Sequence, residues 1–217
     1  MSGTFVTFEG IEGSGKSTQA ARLAERLRRS GREVVLTREP GGTSLGRELR
    51  ALLLRTGSPV LPEAELLLYA ADRAQHVGET IAPALARGAA VLCDRFLDAT
   101  LAYQGIARGL GAEPVLSLHR RPPLDLRPQR TVLLDLDPEI ALARARGRDA
   151  ARAHGADEGR FEAEPLAFHG KVRQGYLQLA AAEPARVRLV SGSGTEATVE
   201  AAVLREVMDL FPDLERA

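Results

Sequence analysis

Gly10, Gly15, Lys16 and Ser17 stand at the spacing G-x-x-x-x-G-K-[ST], with Ile11, Glu12, Gly13 and Ser14 in the variable positions and Thr18 next. Those residue types in that order suit the cradling of a polyphosphate. Glycines let successive backbone N–H groups turn inward around an anion, Lys16 can reach the β- and γ-phosphates, and the Ser17 hydroxyl can ligate Mg2+. The chain has only two lysines, Lys16 and Lys171, and otherwise uses arginine for positive charge, so a lysine at this spot is not filler.

A phosphate loop needs a strand before it and a helix after it. Thr4–Phe8 alternates and is rich in strand formers, while residues 19–29 place Ala20, Leu23, Ala24 and Leu27 at helical spacing. The helix would aim its positive end at the same anion. Further chemistry stands at the ends of later strands. Arg38-Glu39-Pro40-Gly41-Gly42-Thr43 follows a strand over 33–37, and Asp94-Arg95-Phe96 follows the apolar run 89–93. In open parallel sheets ligands bind at that edge. A carboxylate there, Asp94, can hold the waters around Mg2+, and an arginine, Arg95, can grip phosphate with two N–H groups. Cys93, inside the apolar run, is expected in the core rather than as a nucleophile.

The remaining pattern supplies the frame. Helices are predicted over 45–54, over 63–87 with a bend at Pro83, over 97–109, over 138–146, over 162–182 and over 196–210. Tyr69 and Arg73 are four apart and share a face, and Thr100, Tyr103 and Gln104 lie together on the 97–109 segment. Strands are predicted at 131–136 and 186–190. Residues 114–128, with Arg120, Arg121 and four prolines, read as a connection whose charges are solvated. Arg144, Arg146, Arg148, Arg152 and Arg160, broken by Gly147, Gly155 and Gly159, form an arginine-rich stretch that reads most simply as an exposed helix end. Five strands alternating with helices imply an α/β fold, a mostly parallel sheet covered on both faces.

The 217 residues suit one domain. Acidic and basic residues balance at 29 each, which argues against a nucleic-acid polymer or an anionic membrane as partner. A single cysteine excludes an intrachain disulfide framework and suits a cytoplasmic protein. No signal peptide and no apolar run of membrane-spanning length is apparent.

Taken in order, the phosphate loop, the Arg38–Thr43 loop, Ala70-Ala71-Asp72-Arg73, Asp94-Arg95-Phe96 and Ala102-Tyr103-Gln104-Gly105 closely resemble the thymidylate kinases. The resemblance runs over nearly the whole chain and extends to Leu134-Asp135-Leu136-Asp137-Pro138-Glu139, Arg160-Phe161-Glu162 and Val172-Arg173-Gln174-Gly175-Tyr176-Leu177. It implies a single domain over 1–217 with the P-loop nucleoside monophosphate kinase fold and a lid over about 144–161. It also implies ATP- and Mg2+-dependent phosphorylation of dTMP to dTDP, and a homodimer.

By the same resemblance, Glu39, Arg50 and Arg95 would hold the dTMP phosphate with its metal and water. Arg73, Thr100 and Gln104 would read the base, Tyr103 would pack near the sugar, and Glu12 would lie near the 3′-hydroxyl. Arg144 would stack near adenine. Three departures stand out: Tyr69 where the family stacks a phenylalanine on the base, Ala99-Thr100 in place of a serine pair, and a lid longer than usual. The loop's variable positions also lack a basic residue, so the charge on the transferring phosphoryl group is expected from the lid. Arg148 is the first candidate, with Arg152 and Arg160 next.

Two other readings compete. A nucleotide-binding switch of the GTPase kind would need the Asn-Lys-x-Asp guanine motif, and the chain contains no asparagine. A kinase for another monophosphate or a nucleoside differs only in its acceptor. Two phosphate-gripping arginines favour a monophosphate.

Overall fold

The computed structural model of the protein describes residues 3–57, 59–151, 159–212 and 214, without the side chains of 148–151. Five strands form one sheet in the order β2-β3-β1-β4-β5: β1 (Thr4–Glu9), β2 (Val34–Arg38), β3 (Ala90–Asp94), β4 (Arg130–Asp135) and β5 (Val187–Ser191). Every pairing is parallel, where the sequence suggested only a mostly parallel sheet. β1 lies in the middle, with Phe8 opposite Asp94 on one side and Val132 on the other.

Alternation along β1 decides what lies on each face. Val6 and Phe8 point to the face covered by α1 (Lys16–Arg29) and α9 (Glu196–Val207), where they meet Leu23, Leu27, Val203 and Val207. Phe5 points the other way, against Val91, Cys93 and Phe96. Thr7 and Glu9 share that second face, so the strand carries polar groups toward the side where the remaining helices pack. Burying a side chain such as Leu23 or Leu27 fully is worth about 1.5–3 kcal/mol, which is what fixes α1 to the sheet.

α1 starts at Lys16 and closes at Ser30, whose N–H donates to the Arg26 carbonyl at 3.0 Å. α2 (Ser44–Leu54) is capped by Thr43, whose hydroxyl accepts from the Gly46 N–H at 3.0 Å. The long helix expected over 63–87 is three pieces: α3 (Pro62–His76), a π-helical turn Val77–Ile81, and α4 (Ala82–Ala86). Pro83 has no N–H to give the carbonyl four residues back, and the turn before it widens so that the Ala82 N–H reaches Val77. The 97–109 segment is likewise α5 (Leu97–Thr100) running into a π-helical stretch, Leu101–Ala107. That stretch carries Tyr103 and Gln104.

A short helix, α6 (Ala112–Leu118), runs into the expected connection 114–128. α7 (Pro138–Ala151) extends beyond Arg146, and α8 spans Leu166–Ala182, starting four residues later than periodicity suggested because 160–164 is a turn. Arg152, with the rest of 152–158 in the expected lid, lies outside the described residues. Among those described, no helix is long and apolar enough to cross a membrane.

Candidate active site

The phosphate loop joins β1 to α1 through Gly10, Gly13 and Gly15, at φ 138°, 79° and 101°. Left-handed angles of this kind are open to glycine and costly for other residues. The loop is walled by backbone: a Cβ on Gly10 would meet the Leu134 carbonyl at 2.4 Å, and one on Gly13 would meet the Ala141 carbonyl at 1.8 Å. No acidic residue occupies the first turn of α1, so its N-terminal amides are left for an anion. The buried Ser14 hydroxyl has no protein partner, consistent with a cradle shaped for a polar ligand.

Lys16 folds over this loop and donates to the Ile11 carbonyl at 2.8 Å. Burial, and then the neighbouring Arg95 charge, push its pKa down to about 8. Ser17 hydrogen-bonds the Asp94 carboxylate at the end of β3. An alcohol and a carboxylate oxygen beside a phosphate loop are hard donors of the kind Mg2+ takes.

Arg95 is the hub. It is the one non-glycine residue at positive φ among those described, at 69°, and that backbone turn brings its guanidinium back over the loop. Nη1 donates to the Gly10 carbonyl at 3.1 Å and to the Tyr176 hydroxyl at 3.2 Å. Nη2 donates to Glu12 at 2.6 Å, and the cation lies 4.9 Å from the centre of the Tyr103 ring. The Tyr103 hydroxyl donates to the same Glu12 carboxylate, at 2.7 and 2.8 Å. Burial alone would raise the Glu12 pKa, but Arg95, His169, Lys16 and Tyr103 outweigh it and hold the carboxyl well below its usual range. Glu9, fully buried, takes the Phe96 N–H and the Tyr176 hydroxyl, each at 2.7 Å. Burial and then Asp98 push that carboxyl up to about 8.

A second cluster surrounds Arg73, which is 1% exposed. Its Nε donates to Glu39 at 2.8 Å, Nη2 to the Thr100 hydroxyl at 3.1 Å, and Nη1 faces His119 Nε2 at 2.8 Å. The Phe96 ring covers it at 4.8 Å. Glu39 also pairs with His76, whose other nitrogen meets the Thr37 hydroxyl at 2.7 Å. Asp72, buried beside Glu39, accepts the Gly41 N–H at 3.1 Å, and burial followed by the Glu39 charge pushes its pKa up to about 6. Arg50 donates to the Pro40 carbonyl at 3.1 Å.

A third cluster centres on Glu65, which has no exposure. Gln104 Nε2 and Arg160 Nη2 each donate to it at 2.6 Å, with Arg108 at 3.4 Å. Arg160 also donates from Nε to the Leu53 carbonyl at 2.5 Å and lies 4.7 Å from the Phe161 ring centre. Expected at the lid, Arg160 is here committed to the wall that carries Gln104. Tyr69, half-buried on α3, has its pKa pushed well up by burial and then by the Glu65 charge.

The structure therefore gathers Lys16, Ser17, Asp94, Arg95, Glu12 and Tyr103 in one cluster and Glu39, Arg73 and Thr100 in a second. Gln104 and Arg160 meet at Glu65. Arg144 is exposed on α7, where it donates to the Gly192 carbonyl at 3.0 Å in the loop after β5. Arg148 lies on α7 with its side chain outside the described residues. Sequence reasoning missed Glu9, Glu65, Asp72, His76, His119, His169 and Tyr176. A signal for three of them was present: Glu65, Tyr69, Asp72, Arg73 and His76 follow helical spacing and line one polar stripe of α3.

A family model described as Thymidylate kinase matches residues 8–203. The chain belongs to the thymidylate kinase family. It is 55% identical over 192 residues to the thymidylate kinase of Syntrophotalea carbinolica, covering 88% of each chain. To that of Solidesulfovibrio magneticus it is 54% identical over 200 residues, covering 92% of this chain and 96% of the relative. The crystal structure of thymidylate kinase from Ehrlichia chaffeensis superposes with a TM-score of 0.73 at 31% identity, covering 94% of this chain and 98% of that one. Family membership agrees with the α/β nucleoside monophosphate kinase fold expected from the sequence.

Proposed function

We propose that this protein transfers the γ-phosphoryl group of ATP to dTMP, giving ADP and dTDP, and that the Arg95 hub carries the acceptor phosphate. The observation behind that role is that Arg95 bonds to Gly10 and Glu12 tie the arginine to the phosphate loop, while a third, to Tyr176, holds it to α8. They leave its Nε–H and one Nη2–H for a ligand. Two N–H groups on a planar cation match two phosphate oxygens.

The reaction makes one P–O bond to a dTMP phosphate oxygen and breaks the bond from the γ-phosphorus to the bridging oxygen. The acceptor is an anion already, so no base is needed, and catalysis reduces to alignment and charge neutralisation. The amides of residues 10–18 and the start of α1 hold the donor phosphates, and Lys16 swings from the Ile11 carbonyl to the β- and γ-oxygens. Arg144 and the Gly192 loop form the adenine side. Ser17 and Asp94 are the groups that would hold Mg2+, which when bound neutralises charge on the phosphates. Glu12 and Tyr103 hold Arg95 and pack beside the sugar. On the acceptor side Glu39 and Arg50 support the phosphate, while Arg73, Thr100, Gln104 and Tyr69 face the base. Arg148 and Arg152 are proposed to meet the transferring group from the lid; for Arg160 that role requires it to leave Glu65. A homodimer in the cytoplasm is proposed on the family resemblance.

A coupled ADP-release assay with ATP, Mg2+ and a panel of nucleosides and monophosphates tests the reading. The expected result is the highest kcat/KM with dTMP. A methyl group in an apolar pocket is worth about 1–3 kcal/mol, so dUMP should be a poorer substrate rather than an inert one. Higher kcat/KM with AMP, CMP or thymidine would overturn the acceptor assignment.

A further inference from the structure

The connection between the Gln104 segment and β4 had no chemical reading in the sequence, yet it delivers one buried side chain to the acceptor side. His119 follows α6 and is 1% exposed. Its Nδ1 lies 2.6 Å from the Val115 carbonyl and its Nε2 lies 2.8 Å from Arg73 Nη1. A carbonyl only accepts and a guanidinium only donates. Nδ1 must therefore carry the proton and Nε2 the lone pair, so the ring is neutral and in one tautomer. Burial and then the Arg73 charge push its pKa down to about 4, which agrees with a neutral ring.

From these contacts we infer that His119 is a positioning residue for acceptor recognition, holding the Arg73 guanidinium so that its free N–H groups face a base carbonyl. Three fixed acceptors surround Arg73: the Glu39 carboxylate on Nε, the Thr100 hydroxyl on Nη2 and the His119 ring on Nη1. They come from the loop after β2, from α5 and from the residue that follows α6. Each terminal nitrogen keeps one N–H, and these two are what a pyrimidine carbonyl would receive. Glu39 and Thr100 fix one end and one edge of the fork. Only His119 holds Nη1, and without it the guanidinium is free to rotate out of plane about its remaining two bonds. The Phe96 ring at 4.8 Å lies on one face and opposes that tilt only toward its own side. Cytosine offers an amino donor where thymine offers a carbonyl, so orientation of those two N–H groups bears on which base is taken.

The inference rests on Arg73 facing the base, and the test separates the two claims. His119→Phe keeps the ring and removes the acceptor, while His119→Gln places an amide oxygen near the position of Nε2. Steady-state kinetics with dTMP, ATP and dCMP are measured for both, for Arg73→Ala, and for the His119→Phe/Arg73→Ala double variant. His119→Phe should raise KM for dTMP roughly five- to hundredfold, the scale of an unpaired buried donor, and narrow the preference for dTMP over dCMP. KM for ATP should stay within about twofold, and His119→Gln should recover most of the loss. In the Arg73→Ala background, His119→Phe should add nothing. If it still raises KM for dTMP there, or if His119→Phe leaves KM for dTMP unchanged, the positioning role is wrong. If Arg73→Ala alone leaves both KM for dTMP and the dTMP preference unchanged, the base-facing reading fails and the role of His119 falls with it.

Discussion

Gly13→Ala is expected to unfold this protein's phosphate loop from its support, and a neighbouring glycine provides the control. Gly13 has φ 79°, and a Cβ built on it meets the Ala141 carbonyl oxygen at 1.8 Å, where contacts under 3.0 Å are essentially never seen. The obstacle is backbone of α7, so no side-chain rotation relieves it, and loop and helix must part by more than an ångström. Overpacking of this kind costs about 1–3 kcal/mol and the left-handed angle adds about 1–2 kcal/mol. The sum, about 2–5 kcal/mol, is a large share of the 5–15 kcal/mol that domains possess. Gly15 has φ 101° but nothing within 4 Å of its Cβ position, so Gly15→Ala should cost the strain alone. At about 2–4 °C per kcal/mol for a chain of this size, Gly13→Ala should melt about 4–20 °C below wild type and Gly15→Ala about 2–8 °C below. Thermal unfolding without nucleotide measures both, so that lost ligand binding does not enter. Equal melting temperatures for the two variants would refute the close packing of loop against α7.

Lys16→Ala should leave the melting temperature nearly unchanged and remove most of kcat; a loss below about threefold, under about 1 kcal/mol of barrier, would exclude Lys16 from the phosphates. Arg148→Ala should lower kcat roughly a hundredfold or more if it meets the transferring group, with stability intact. Arg160→Ala should instead destabilise the fold by about 3–5 kcal/mol, because it strips the buried Glu65 of its closest cation; unaltered stability would sever that pairing. Asp72 has a folded pKa raised to about 6 by burial and then Glu39, so its ionised form disfavours the fold at higher pH. Its contribution to stability should therefore rise as pH falls from 6 toward 3.8, and Asp72→Asn, which keeps an oxygen for the Gly41 N–H, should stabilise at pH 8 by about 1–3 kcal/mol and have no effect near pH 3.5. Urea denaturation at both pH values decides it.

The sequence disclosed most where its signal is periodic. β1 and α1 were legible because Thr4–Phe8 is rich in strand formers, with Val6 and Phe8 two apart, and Ala20, Leu23, Ala24 and Leu27 follow helical spacing. Asp94 and Arg95 were legible because the end of a buried apolar strand is a recognisable place. The π-helical stretches were not, since a widened turn leaves no period of its own and Pro83 announces only a bend. His119 escaped because α6, at seven residues, is too short to show a face. Arg160 shows a different limit. Its place in the chain suggested a lid, but which carboxylate a long, flexible cation reaches depends on tertiary packing that brings Glu65 within 2.6 Å across 95 positions of sequence.

The central place of β1 also orders events during synthesis. Residues 4–18 are made before both strands that flank β1, which end at Asp94 and Asp135. At about 5–20 residues per second, roughly 6–25 s separate emergence of β1 from that of its second neighbour. Until β3 has been made Phe5, Val6 and Phe8 have no neighbouring strand to pair with, and the Leu134 carbonyl beside Gly10 does not exist until β4 follows. The cradle around Gly10 is thus completed only when β4 joins the sheet, so nucleotide bound there can favour the finished fold but not the β2-β3-β1 stage that precedes it.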